Sequence, residues 1–378
     1  MTASRERPYR VKRHLRALGA FARHHPSARN TEVIALDRRH AVAAAQLCAQ
    51  ALLRRQTLDE RFPDIQGVEP VLRAAWERRL ADPFSTGFGL VFQGRLAGTL
   101  AVTYQRLSPS SSERIYSPLV SGWMPQSLCA IAEALPPSEA LPLLYEAAAD
   151  WLARRGVSIH FANMAAADAE LLVAWRQLGF RTQGAFALLT DEGRQQLDVR
   201  VPPTGVMVRE ACLADAPAIA ALLAESHRYH AALPGSFFDA EDGDRHYPTL
   251  VESELHDPSG EPRYLLALED QRVVGLASGY VESAAPQELA AYTRPLPLGY
   301  IAEVAVTAEA RGRGIAGALL ATLVPWLEEG GISRIGLHFI ASNPTASRAW
   351  PALGFSPLEV RLQGGPNQSS AALPAELV

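Results

Sequence analysis

The sequence predicts an α+β fold built twice in tandem, and three observations predict it. The chain is 378 residues long, more than one hydrophobic core ordinarily supports at roughly 100 to 200 residues per domain. A set of residues recurs at a nearly constant offset. Within each copy, short apolar runs bounded by turn residues alternate with longer segments of helical periodicity. Hydrophobic residues make up 48% and charged residues 20% of the chain, the balance of a folded protein and not of a disordered one.

The repeat is read from short matches in one order. Trp151-Leu152 followed by Gly156-Val157-Ser158 matches Trp326-Leu327 followed by Gly331-Ile332-Ser333, an offset of 175 residues. Trp175, Leu178, Gly179 and Phe180 match Trp350, Leu353, Gly354 and Phe355 at the same offset, and His160-Phe161 matches His338-Phe339 at 178. Upstream, Asp82-Pro83 parallels Asp257-Pro258, and Gly94 to Gly98 parallels Gln271 to Gly275. Together they describe two copies of one domain. The join falls at Val201-Pro202-Pro203-Thr204-Gly205, where two prolines forbid a continuing helix and the glycine permits a turn. The expected organisation is a basic arm at 1–30, a first domain at 31–200, a second at 205–363 and a flexible low-complexity tail at 364–378.

In the second copy, Gly205 to Arg209 reads as a strand, and Asp215 is placed to cap an apolar-periodic helix through Leu223. Arg263 to Leu268 and Arg272 to Tyr280 read as strands joined by a tight turn at Asp270-Gln271. Tyr300 to Val306 is a third apolar strand. Gly314 to Glu329 is a helix with Leu319, Leu320, Leu323 and Trp326 on one face. Strand Arg334 to Phe339, helix Thr345 to Leu353 closed by Gly354, and strand Phe355 to Leu362 complete the copy.

Charge narrows the partners. A net charge of −4 and a pI near 6.2 give no field for a general nucleic-acid binder. Residues 1–30 hold eight arginines and lysines against the single acid Glu6. That arm reads as a solvated basic segment or an organelle transit peptide, and a nucleic-acid binder working through it is a competing reading. No run approaches the roughly 20 apolar residues of a membrane span, so no membrane partner is expected. Three separated cysteines, Cys48, Cys129 and Cys212, form neither a disulfide scaffold nor a metal-ligand pattern, and the expected compartment is the cytoplasm.

The most informative segment runs from Glu303 through Val304, Ala305 and Val306 to Arg311-Gly312-Arg313-Gly314-Ile315-Ala316. A strand enters a glycine-bearing turn that opens a helix. Glycines let backbone approach a ligand closely, and a helix start offers unpaired N–H groups and the positive end of its dipole. With two arginines this makes a pyrophosphate cradle; a merely tight strand-to-helix turn leaves both arginines unexplained. A dinucleotide fingerprint would need a third glycine and a nucleotide loop a Gly-Lys-Ser/Thr, and neither is present.

The segment Arg311-Gly312-Arg313-Gly314-Ile315-Ala316 is similar to the Arg/Gln-x-x-Gly-x-Gly/Ala signature of the GNAT (Gcn5-related N-acetyltransferase) superfamily. Asn343-x-x-Ala346 with Trp350-x-x-Leu353-Gly354-Phe355 resembles its following helix and strand, and 206–362 resembles its order of elements. The resemblance implies a mixed, largely antiparallel twisted sheet flanked by helices in each copy. It implies a splay between the strands ending at Val306 and Phe339, with acetyl-CoA as acyl donor and its pantetheine arm in the splay. Backbone groups of Val304, Ala305 and Val306 would pair with that arm, while Arg311, Gly312, Arg313, Gly314, Ile315 and Ala316 would hold the pyrophosphate. Asn343 matches a position near the cofactor or serves only as a helix cap. Trp350 either closes the pantetheine tunnel or packs in the core. It stands where many members carry the tyrosine that protonates the departing thiolate, which tryptophan cannot do. The first half has no counterpart of the signature, reading instead through Ser110-Ser111-Ser112, Gly122-Trp123 and Pro136-Pro137. It is expected to be a degenerate copy that does not hold the cofactor.

The expected reaction is acetyl transfer by direct attack of a primary amine of a small molecule or peptide. A base must take the amine's proton, since an amine of pKa near 10.4 is almost wholly protonated at pH 7. Glu303 is the candidate base, against the alternative of a strand carboxylate facing solvent or an arginine. His338 is a second candidate, although its parallel at His160 points to a shared packing role. His227 and His230 lack a third ligand in register, so no metal is expected. The acids from Asp239 to Asp244 hint at a cationic acceptor or form a solvated loop. The competing reading from another class is a non-catalytic acyl-CoA-binding regulatory protein. Both a monomer and a homodimer fit the sequence.

Overall fold

The computed structural model describes residues 31–285 and 287–365; the basic arm and all but the first two residues of the expected tail lie outside them. The first half supplies strands β1 (Thr31–Ala35), β2 (Ser85–Phe92), β3 (Arg95–Arg106), β4 (Val120–Met124), β5 (Cys129–Ile131), β6 (His160–Ala165) and β7 (Arg181–Leu189). The second supplies β8 (Val206–Glu210), β9 (Arg263–Glu269), β10 (Arg272–Glu282), β11 (Leu298–Val306), β12 (Ile335–Ile340) and β13 (Phe355–Gly364). Helices recur in the same places: Ala41–Leu58, Val68–Ala81, Pro137–Ala153 and Ala169–Gln177, then Ala216–Ala231, Ala240–Leu255, Ile315–Leu327 and Pro344–Ala352. The fold is a mixed, mostly antiparallel α+β architecture in two copies.

Strand alternation explains the layers. In β3, Leu100 and Val102 face the core under helices Pro137–Ala153 and Ala169–Gln177, while Ala101 faces the core under Ala41–Leu58 and Val68–Ala81. In β9, Leu265 and Ala267 meet helix Ile315–Leu327, while Leu266 and Leu268 meet Ala216–Ala231 and Ala240–Leu255. Each sheet half is thus covered on both faces. Both copies also turn their first hairpin through left-handed backbone, at Gln93-Gly94 (φ 51° and 76°) and Asp270-Gln271 (φ 48° and 63°), the geometry of a two-residue turn matched to strand twist.

The copies do not stand side by side as separate sheets. All thirteen strands join in one sheet, in the order β1-β2-β3-β4-β6-β13-β7-β12-β11-β10-β9-β8, with β5 added to β3. The last strands are exchanged. β7 of the first copy lies antiparallel to β12 of the second, and β13 of the second lies antiparallel to β6 of the first. β7 and β13 pair with one another at the centre. In β7, Ala185, Phe186, Ala187 and Leu188 are all buried, as a strand covered on both faces requires. A junction core of Phe62, Ala165, Phe186, Leu188, Leu298 and Leu358 draws on both halves.

Several boundaries move from expectation. Helix Ala216–Ala231 runs well beyond Leu223, and the acidic segment expected as a loop is largely the helix Ala240–Leu255. Asp215 does not bond the first turn of the helix it precedes. Its carboxylate accepts from Arg209 Nη1 and Nη2 and from the Cys212 N–H instead. Strand β13 continues through Gly364, a residue assigned to the tail, because Gly364 pairs with His160. Among the described residues no helix is long and apolar enough to cross a membrane.

Candidate functional site

The parallel pair β11–β12 is in register only at Gly299 with Ile335, Tyr300 with Gly336 and Ile301 with Leu337. Beyond Ile301 the strands part, and β11 from Val304 to Val306 stays paired only with β10. The splay opens into a cavity of about 740 Å³ lined by Ala302 to Val306 and by Leu337 to Ile340. A bulge sits at its root: Ser278 opposes Glu303 but Gly279 opposes Ile301, so Ala302 has no partner. Such a bulge re-aims the side chains that follow it, here the Glu303 carboxyl into the cavity.

Burial raises the Glu303 carboxyl to about 7, a hydrogen bond from Tyr116 opposes that rise, and the charge of Glu254 adds to it. Tyr116 belongs to the first copy. The residue as a whole is 52% exposed, yet its hydroxyl points inward and donates to Glu303 Oε1 at 3.3 Å. The preceding Arg114 holds that segment in place through Asp242, with Nε 3.1 and 3.0 Å from the two carboxylate oxygens. No catalytic motif marks Tyr116; its turn, Ser112–Ile115 between β3 and β4, corresponds in position to Ala290–Thr293 between β10 and β11.

His338 also lines the cavity and shares a 2.9 Å hydrogen bond between its Nδ1 and the Tyr300 hydroxyl. Burial, with the charges of Arg361 and Arg294, holds its imidazole well below the usual range and therefore neutral. His160 in the first copy makes a matching 2.9 Å bond to Tyr145 and is lowered to about 4 by burial. The parallel with His160 therefore extends to a tyrosine partner.

The turn before helix Ile315–Leu327 has the open form a phosphate needs. Gly312 (φ 76°) and Gly314 (φ 84°) are left-handed, and a Cβ on either meets nothing within 4 Å. The first backbone bond closing the turn is Ala318 N–H to Gly314 O at 3.1 Å, leaving the N–H groups of Ile315, Ala316 and Gly317 without intrahelical acceptors. Arg311 lines the cavity, donates from Nε to the Val306 carbonyl at 3.2 Å and lies 5.3 Å over the Tyr229 ring. One carbonyl expected to meet the pantetheine arm therefore already accepts from Arg311 and keeps a second lone pair.

Two expected ligands are engaged elsewhere. Arg313 turns away from the cavity to Glu269, at 2.6 and 3.0 Å, because residues on either side of a left-handed glycine project in different directions. Asn343 Oδ1 caps helix Pro344–Ala352, accepting from Thr345 N–H at 2.9 Å and Ala346 N–H at 3.2 Å, and its Nδ2 lies 3.1 Å from His230 Nε2. An amide nitrogen only donates, so His230 Nε2 accepts; burial lowers His230 to about 4. His227 Nε2 donates to the Asp239 carbonyl at 2.9 Å, so both imidazoles have protein partners. Trp350 lines the cavity and meets Phe355 edge-on at 5.4 Å.

A further guanidinium enters from the linker. Arg200 lines the cavity and packs on helix Ile315–Leu327, where a Cβ on Gly317 would fall 2.7 Å from its Cδ. Its Nε is buried without a hydrogen-bond partner. The acids that suggested a cationic acceptor are consumed: Asp242 by Arg114, Asp244 by Arg228 and Glu241 by Arg245.

The first copy is built differently at the equivalent place. Its strand is broken by Pro125 and a short 3-10 turn between β4 and β5. Arg55, 4% exposed, donates from Nη2 to the carbonyls of Gln126 and Cys129 there. The helix that follows begins at Pro136-Pro137, with Pro137 at N1 and no left-handed glycine in the preceding turn. The adjoining cleft is lined by Glu133, Asp168 and Glu170 as well as Arg54 and Arg55.

Residues 224–355 match the family model described as "Acetyltransferase (GNAT) family". Among solved structures, a GCN5-related N-acetyltransferase from Sphaerobacter thermophilus is 18% identical with a TM-score of 0.53, over 89% of this chain and 95% of that one. A tandem GNAT protein from the clavulanic acid biosynthesis pathway, 14% identical over 90% of this chain and all of that one, has a TM-score of 0.48, too loose to add to the assignment. No curated protein matches the chain.

Proposed function

The second half of this chain is a GNAT acetyltransferase domain and the first half repeats its fold, and from that premise we propose that the protein transfers an acetyl group from acetyl-CoA to a primary amine of a small molecule or peptide. The observation that carries the reading is the Glu303 carboxyl, held near neutral pKa at the root of a splay beside an open, glycine-lined helix start. Acetyl-CoA would supply an activated thioester carbonyl. Gly312, Gly314 and the N–H groups of Ile315 to Gly317 suit its pyrophosphate, and Arg311 and Arg200 supply charge that Arg313 does not.

The amine nitrogen forms the new amide bond as the carbon–sulfur bond breaks, and the amine's proton passes to Glu303. A carboxyl near pKa 7 is well matched to that task at neutral pH, whereas an ordinary glutamate is too weak a base. Tyr116 orients the carboxylate from the first copy. The Trp350 indole N–H is too weak an acid to protonate the thiolate, and a thiol of pKa near 8.5 leaves acceptably without a proton. The first copy, with its strand broken, Arg55 across the break and acids lining its cleft, is proposed to hold no cofactor.

Calorimetric titration with acetyl-CoA, followed by thiol release across a panel of primary amines, tests this. One site per chain with amine-dependent thiol release is expected. Binding without release for every amine would favour an acyl-CoA-binding regulator, and absence of binding would remove the cofactor assignment.

A further inference from the structure

The cavity extends sideways from the splay to the seam where the exchanged strands meet, and a guanidinium stands there with no ion pair among the described residues. Arg361 on β13 lines the cavity. Among the described residues it forms no ion pair, and its Nε is buried without a hydrogen-bond partner. The Trp123 ring lies 5.3 Å below the guanidinium, and the Glu359 carboxyl on the same strand acts on it electrostatically without pairing to it. Gly184 opposes it on β7, where a Cβ would fall 4.0 Å from the Arg361 Cβ and 2.9 Å from the Phe339 carbonyl oxygen, so no larger residue fits beside it. Arg294 lines the same region and is already paired with Glu282 at 2.7 Å.

A desolvated guanidinium whose Nε has no hydrogen-bond partner is only partly offset by a carboxylate it does not pair with, and an anion in the cavity would complete it. The acids lining the cavity do not serve: Glu303 is held by Tyr116, and Glu225 lies on helix Ala216–Ala231 one turn before the Tyr229 that stacks under Arg311. Three strand spacings separate β13 from β11 in the sheet, about 14 Å between backbones, which the inward-reaching side chains shorten to the span of a small molecule or a peptide end. Resting on the acetyl-transfer reading, we propose that the acceptor is a zwitterion: a primary amine delivered to Glu303, carrying a carboxylate or other oxyanion held by Arg361 at the seam between the copies. The forked donors of arginine suit two oxygens of one anion.

The test uses the full chain and matched probes: ω-amino acids of two to six carbons, their carboxamides, and ω-aminoalkylphosphonates of equal length. Thiol release with saturating acetyl-CoA gives kcat/KM, and calorimetric titration of the same probes into the CoA-saturated protein gives affinity independent of turnover. Oxyanion-bearing amines are expected to exceed the carboxamides by about ten- to hundredfold. Arg361→Met should reduce that ratio to within about twofold with a melting temperature no lower than the wild type's, and Arg361→Lys should restore part of it. The order of carboxylate and phosphonate identifies the anion. Equal use of the carboxamides, a preference that survives in Arg361→Met, or no binding of any oxyanion-bearing probe overturns the proposal. Binding through Arg361 without thiol release would instead sink the acetyl-transfer reading and leave the anion site standing.

Discussion

The Tyr116 hydroxyl donates to Glu303 Oε1 at 3.3 Å, so the side chain that tunes the candidate base of one copy comes from the other. This bond opposes the effect of burial on the Glu303 carboxyl. The pH profile of kcat/KM should therefore rise through an ionisation near 7. In Tyr116→Phe the lowering contribution is gone, and that limb moves to higher pH. Glu303→Gln should remove the limb and cost about 10²- to 10⁴-fold in kcat/KM. A limb that stays in place in Tyr116→Phe would show that the bond does not act on the base.

The same shift has a stability counterpart with a fixed sign. Because the folded-state pKa of Glu303 lies above its ordinary 4.5, the wild-type protein loses stability as pH rises from about 4.5 through about 7, where a carboxylate must be charged in its buried position. Glu303→Gln carries no such charge. Its melting temperature relative to wild type should climb between pH 5 and pH 8, and a flat difference would count against a raised pKa.

Arg200 is expected to matter to cofactor affinity and not to the chemical step. Its guanidinium lies on the first turn of helix Ile315–Leu327 with Nε unpartnered, where an anion at the helix start completes it. Arg200→Ala should weaken acetyl-CoA about tenfold or more while kcat holds. Repeating the titration with 3′-dephospho-CoA identifies the phosphate: a penalty that vanishes places Arg200 at the 3′-phosphate, and one that persists places it at the pyrophosphate.

What the sequence discloses follows from how local each feature is. The Gly312–Gly314 turn is legible because left-handed backbone and a helix start are written in adjacent residues, and the repeat is legible because tryptophan and glycine recur in order. Arg313 illustrates the limit: its neighbours reveal a phosphate turn, but its direction depends on Glu269, 44 positions away. Tyr116 and Arg361 reach the cavity only through tertiary placement. The strand exchange is invisible for a stricter reason, since the apolar residues of β7 and β13 suit either neighbouring sheet edge and pairing partners leave no periodic trace.

The first copy offers a prediction about its missing cofactor site. Arg55→Met removes the donors that satisfy the Gln126 and Cys129 carbonyls, and should lower stability by about 1–3 kcal/mol in denaturant melts. It should not create a second acetyl-CoA site, because the turn before Pro137 still lacks left-handed glycines. A stoichiometry of two in the variant would mean that Arg55 alone blocks the cleft.

The exchanged strands make the two copies one folding unit despite the clear join at residues 201–205. Expressed alone, residues 205–365 would lack β7, which pairs with both β12 and β13. With β6 also absent, three strand edges would stand open, one of β12 and both of β13, and the junction core would lose Phe62, Ala165, Phe186 and Leu188. Open apolar edges recruit other chains, so the fragment should aggregate and fail to bind acetyl-CoA, while co-expression with residues 31–200 should restore a soluble complex. In the full chain, Phe186→Ala should cost about 3–5 kcal/mol, and a single cooperative transition should report both copies together. A monodisperse second-half fragment with the full chain's acetyl-CoA affinity would mean that its last strand folds back onto its own copy, and that the exchange is not needed to build the site.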